Sequence, residues 1–238
     1  MSPYWRESRA PRYSLTFALP LLVAYEFLAR LLSGPDGSGV RNGADVLLKS
    51  LFLLFGGRHG LTIFAAVLLG TGVVLAYRDR RKSGPVVARY FLGMALESIV
   101  YAVLFGLVTS VLTGLVLHQG LALGPLDEQD FPTQVMISLG AGVYEELLFR
   151  VLIVGALARL AVLGFGWKPF AAGVFATLLG ALIFSTFHYI GPYGDTLNLT
   201  SFTFRAIAGM LLSALFLLRG FGIAAWTHAL YDVLVSLR

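Results

Sequence analysis

Glu145 and Glu146 stand side by side in an apolar stretch, and Arg150 follows the second of them by four residues. Further along, His188 comes four residues after Phe184, and His228 comes four residues before Asp232. In hydrocarbon each such ionisable group is costly unless it is paired or faces a polar cavity. Neighbouring residues point about 100° apart around a helix, so Glu145 and Glu146 cannot serve one partner equally well. The simplest division of labour makes Glu146 and Arg150 a structural ion pair and leaves Glu145 for other work. The other arrangement, in which Arg150 holds Glu145 across a looser five-residue spacing, stays open. One helical turn brings Phe184 beside His188 and puts His228 and Asp232 on one face.

These side chains suit hydrolysis. Glu145 is a candidate general base toward water, and a neutral His188 could position the same water. His228 and Asp232 could donate hydrogen bonds to the oxyanion formed when a peptide carbonyl is attacked. An ionised Asp232 cannot donate, so that role needs it protonated or acting through His228. Glu145, His188, His228 and Asp232 could instead hold a divalent metal such as zinc, leaving a position for water. The sequence does not choose between the two.

The elements that must carry these residues are membrane helices. Of the 238 residues 57% are hydrophobic and 13% charged, and the mean hydropathy is +0.79, well outside soluble composition. At roughly 20 residues per span the length allows about six to eight spans and leaves no room for a separate soluble domain. The apolar runs are continuous rather than alternating, which excludes a β-barrel. With no cysteine, disulfide frameworks, thiolate metal sites and cysteine nucleophiles are excluded. The net charge of +5 is spread over short inter-helix segments, which argues for topology signals rather than nucleic-acid binding.

Residues 14–32 have spanning length and contain Glu26 and Arg30, so they are expected as a retained first helix, not a signal peptide. Glu26 and Arg30 are expected to neutralise one another. Residues 34–45 read as a loop, and 46–55 as an apolar helix too short to cross, either interfacial or re-entrant. Further spans are expected at 61–77, 86–117, 133–163, 170–190, 204–218 and 221–237. Glu97 falls in the second of these. Loops are expected at 118–132, with Asp127, Glu128 and Asp130, and at 191–195. The basic cluster from Arg78 to Lys82, with Arg6, Arg9 and Arg12, predicts a cytoplasmic N-terminus. The expected fold is therefore all-α, one integral membrane domain over 1–238. It is expected to be a polytopic bundle of about seven or eight helices around an intramembrane polar chamber.

The ordered set Glu145-Glu146-x-x-x-Arg150, Phe184-x-x-x-His188 and His228-x-x-x-Asp232 resembles the CPBP, or Abi, family of intramembrane proteases. This is the type II CAAX prenyl protease and bacteriocin-processing family. The resemblance covers roughly residues 133–238, the motif-bearing core. It implies an endopeptidase active inside the membrane, in which Glu145 and His188 activate water while His228 and the residue four beyond it stabilise the oxyanion. Glu146 and Arg150 give structural support. The prenyl-protein branch commonly has Asn where Asp232 stands here, a departure that favours metal ligation or orientation of His228. The implied partners are the lipid bilayer and a membrane-associated protein or peptide substrate. The implied location is a prokaryotic plasma membrane. His-Glu-x-x-His, Gly-x-Ser-Gly and Gly-x-Gly-Asp, the marks of other intramembrane proteases, are absent. The rival readings are a proton-coupled transporter and a non-catalytic immunity or scaffold protein on the same fold.

Overall fold

The computed structural model describes residues 3–34, 39–120, 130–191 and 194–237. Their regular structure is all helical, with no strand among the described residues. The chain runs through α1 (Pro3–Glu7), α2 (Pro11–Leu31), α3 (Gly43–Gly56), α4 (Gly60–Ser83) and α5 (Arg89–Leu117). It continues through α6 (Phe131–Phe165), α7 (Pro169–Phe187), α8 (Leu199–Arg219) and α9 (Phe221–Val235). Parts of the expected loops, including Pro35, Asp36, Asp127, Glu128, Pro192 and Tyr193, lie outside the described residues.

Local chemistry explains where these helices start and stop. Prolines open α2 and α7, where the missing N–H has no intrahelical partner to lose. Asn198 caps α8 by accepting from the Thr200 and Ser201 amides, so this helix begins five residues before the expected 204. The basic cluster 78–82 does not end α4 but forms its last turns, where cations meet the negative end of the helix.

Among the described residues six stretches are long and apolar enough to cross a membrane: Pro11–Leu31, Gly43–Ser83, Arg89–Leu117, Phe131–Phe165, Pro169–Phe187 and Leu199–Arg219. Their outward faces are apolar, as at Val67, Val73, Leu92, Leu96, Val103 and Leu107, while the interior contains Glu146, Arg150 and Arg219. This inversion of the soluble pattern suits lipid rather than water. The chain is an integral membrane protein.

Gly43–Ser83 is not one straight span. The Phe52 and Phe64 ring centroids are 5.3 Å apart, whereas 12 residues of straight helix would separate them by about 18 Å. The chain reverses at Gly57, whose φ of 51° favours glycine, and α3 folds back on α4. Ala44, Asp45 and Leu48 near the start of α3 are buried, while Leu54 and Phe55 near its end are exposed. The 46–55 segment is thus a half-helix whose N-terminus lies inside the bundle.

The expected Glu26–Arg30 pair does not form. Glu26 is bound by Lys49 of α3 at 2.7 Å and by Arg41 at 3.3 Å, and Arg30 is exposed. Interhelical partners reach the inward face of Glu26, which makes a same-helix partner unnecessary. At one end of the bundle, Arg12 of α2 meets Asp79 of α4 at 2.9 Å, and Arg219 of α8 grips Glu97 of α5 through Nε at 2.5 Å and Nη2 at 2.7 Å.

Helix α9 packs against α2, α5, α6 and α8. Its approach to α6 depends on Gly142, where an added Cβ would lie 2.4 Å from the Ala225 carbonyl oxygen and 2.8 Å from Ala229 Cβ. One of those neighbours is backbone and cannot move cheaply. Gly142→Ala is therefore expected to cost about 1–3 kcal/mol by overpacking. A thermal unfolding midpoint in detergent equal to that of wild type would contradict this close approach.

Candidate active site

The middle of α6, Ala141–Val154, is wound as a π-helix, and Gly155 N–H reaches back five residues to the Arg150 carbonyl. Such winding is rare and concentrates at functional sites. Tyr144, Glu145, Glu146 and Arg150 all lie within this segment and all are buried.

Glu146 and Arg150 form the floor, both fully buried. Glu146 Oε1 is 3.2 Å from Arg150 Nη1 and 2.8 Å from His228 Nδ1. The Arg150 guanidinium also lies 4.4 Å from the centre of the Phe184 ring, a cation–π contact on its other side. Of the two arrangements open from sequence, the structure has the four-residue pair. Glu146 does more than neutralise Arg150, because the same oxygen fixes the His228 ring.

Phe184 links the parts of the site. Its ring is edge-on to His188 at 4.9 Å and to His228 at 6.3 Å between centroids. His188 follows the last residue of α7, and its Nδ1 is 2.9 Å from the Phe184 carbonyl oxygen. A carbonyl only accepts, so Nδ1 carries the proton and Nε2 of the neutral ring is left with its lone pair. The His188 carbonyl accepts from the Asp195 amide at 2.9 Å, and Asp195 in turn pairs with Arg205 of α8, which fixes the turn after α7.

Glu145 points away from that floor. Its Oε1 accepts from Asn42 Nδ2 at 2.7 Å, and its charge interacts with both His188 and His228. The four residues singled out by spacing are thus brought together. Glu145 and His228 are buried, while His188 is half-buried and the Asp232 side chain is 30% exposed. His228 Nε2 lies 3.5 Å from Asp232 Oδ2. With Nδ1 facing the Glu146 carboxylate, that second contact is attractive only if a proton sits on Nε2 or on Asp232.

Among the described residues no three His, Asp or Glu side chains converge to hold an ion.

Residues 128–234 match the family model of type II CAAX prenyl endopeptidase Rce1-like proteins. This part of the chain is of the CPBP/Abi type. No curated protein and no solved structure matches the chain. The CPBP/Abi segment holds Glu145, Glu146, Arg150, Phe184, His188, His228 and Asp232, all the motif residues. It leaves out Asn42, which spacing along the C-terminal helices could not reveal. An Asn just before an apolar run is a helix-start signal, but nothing in the sequence ties it to Glu145.

Removing one partner of a buried ion pair strands the other. Arg150→Met should therefore cost about 3–5 kcal/mol, and adding Glu146→Gln should restore part of that loss. Equilibrium unfolding of the single and double variants in detergent tests the pair; strictly additive losses would mean that the two charges do not compensate each other.

Proposed function

We propose that the protein is an intramembrane endopeptidase that cleaves a peptide bond in a membrane-associated protein or peptide through a water activated by Glu145 and His188. The observation that carries this reading is the interaction of the buried Glu145 with both His188 and His228 beside the buried Glu146–Arg150 pair. These groups lie in the segment matched by the CAAX-endopeptidase family. Glu145 takes a proton from water as its oxygen attacks the carbonyl carbon, with the His188 Nε2 lone pair accepting the water's other hydrogen. The carbonyl electrons move to oxygen, and a proton held between His228 Nε2 and Asp232 is shared with that oxyanion. Collapse of the tetrahedral intermediate breaks the C–N bond, and the proton taken by Glu145 leaves on the amine. Glu146 and Arg150 support His228 and take no part in proton transfer. No step passes through a metal. Residues 1–238 act as one membrane unit with 133–238 as its motif-bearing core, and C-terminally lipidated peptides are the first substrates to try.

Purified protein is incubated with a peptide library that includes C-terminally lipidated members, and products are read by mass spectrometry. Glu145→Gln and His188→Ala are each expected to lower kcat by about 10²–10⁴-fold, the usual contribution of a positioned acid or base. A chelator should leave the rate unchanged. Wild-type turnover by folded Glu145→Gln would sink the mechanism, and loss of activity with chelator restored by zinc would overturn its metal-free form. Equal inactivity of both proteins toward every peptide, with both folded, would favour a scaffold without turnover.

We also propose that the Arg12–Asp79 end, with the Arg78–Lys82 cluster, faces the cytoplasm of a prokaryotic cell. The chain has no cysteine, so Ser83→Cys introduces a unique label site. An impermeant maleimide should react with it in inverted membrane vesicles but not in intact spheroplasts. The opposite pattern would reverse the topology.

A further inference from the structure

We infer that Asn42, which lies outside the family-matched segment, is a positioning residue for Glu145; this rests on the protease reading above. The Asn42 side chain is 4% exposed and joins two elements at once. Its Oδ1 caps α3, accepting from the Ala44 amide at 3.0 Å and the Asp45 amide at 3.4 Å. With the oxygen so engaged the amide cannot be reversed, and Nδ2 is the atom that faces Glu145 Oε1 at 2.7 Å.

Asn42 is itself held from several sides. Its backbone N–H donates to the Tyr25 hydroxyl at 3.2 Å, and that hydroxyl donates to Asp45 Oδ2 at 2.7 Å. Asp45 is gripped by Arg41 at 2.6 Å and Lys49 at 2.7 Å. Lys49 also holds Glu26, to which the hydroxyl of Tyr144, next to Glu145 in sequence, donates at 2.7 Å. Gly140 makes room for this assembly, since a Cβ there would stand 2.8 Å from Asn42 Cβ and 2.5 Å from the Tyr25 ring. The consequence is directional. One Glu145 oxygen is tied down by a neutral donor at the positive end of α3, and the other is left to receive the proton from water.

A residue that only capped α3 could be replaced by Asp or Ser, which cap as well as Asn does or nearly so. A residue that orients Glu145 could not, because Asp would set a second carboxylate against the first and Ser is too short to reach it. The test compares kcat, KM and the thermal midpoint of wild type, Asn42→Asp and Asn42→Ser on a peptide that wild type cleaves and Glu145→Gln does not. Failure of that control pair condemns the protease reading itself. Given the control, kcat should fall about 10²-fold in Asn42→Asp, as expected for a displaced catalytic group. Asn42→Ser should show a smaller loss, with KM within about twofold of wild type in both. Wild-type kcat in either variant would overturn the role. If Asn42→Asp does not fold, Asn42→Ser decides. A readout without substrate adds Glu145→Met, in whose background Asn42→Ser should lower the midpoint less than in wild type; equal lowering would also overturn the inference.

Discussion

A buried carboxylate that must never be left alone governs this bundle. Glu146 has no contact with solvent, and one of its oxygens serves both Arg150 and His228. In so buried a position neither the carboxylate nor the guanidinium is tolerable by itself. The requirement spreads outward from there. His228 can reach Glu146 only if α9 lies close to α6, which needs the bare backbone of Gly142. Arg150, with one ion-pair partner, needs the face of Phe184, and so α7 is drawn against the same floor. Once α6, α7 and α9 are fixed in this way, His188 and Glu145 have little freedom left.

A second set of charges holds the bundle elsewhere. Arg219 binds Glu97, Ser8 and the Trp5 carbonyl, and so gathers α1, α5 and α8, while Arg12 joins Asp79. The Arg219–Glu97 contact differs from the site in one physical respect. The Glu97 carboxylate receives both Arg219 nitrogens and the Tyr4 hydroxyl, a set of bonds that leaves little unsatisfied. At the floor of the site, Glu146 Oε2 and the Arg150 nitrogens have no hydrogen-bond partner among the described residues. A satisfied network stabilises a fold, whereas partly satisfied buried groups are tolerated where the surroundings compel them. The contrast separates the Arg219–Glu97 contact from the Glu146–Arg150 floor even though both are made of the same residue types.

What could be read from sequence was what a single helix dictates. The pairs Glu146–Arg150 and His228–Asp232 are close because four residues make about one turn, and continuous apolar runs fix the class of fold. Failure came where a second helix competes for the same group. Glu26 has a same-helix partner available in Arg30 and takes Lys49 and Arg41 instead. Similarly, the 46–55 run was recognisable as too short to cross, but its reversal onto α4 depends on the Gly57 turn and on Phe52 meeting Phe64. The π-winding of Ala141–Val154 leaves no mark in the hydrophobic pattern. Asn42 is the extreme case, a loop-like residue by composition that reaches Glu145 across 103 positions of chain.

The replacement of a donor amide by Asp232 can be judged from the geometry of its neighbours. His228 Nδ1 faces Glu146 and its Nε2 faces Asp232, so the imidazole lies between two carboxylates. Were it neutral with Nδ1 protonated, Nε2 would present a lone pair to Asp232, and only a protonated acid there would be attractive. Were it charged, both carboxylates would accept. In either state one proton lies between Nε2 and Asp232, and the pair contributes no net charge. Glu146 is balanced by Arg150, which leaves Glu145 as the carboxylate whose charge the floor does not cancel. In the proposed mechanism a group in that position would gain from taking a proton as negative charge develops on the substrate oxygen. In the proposed mechanism an aspartate beside His228 would serve the same end as an amide, because the proton shared by Nε2 and Asp232 takes the place of the one the amide would have carried.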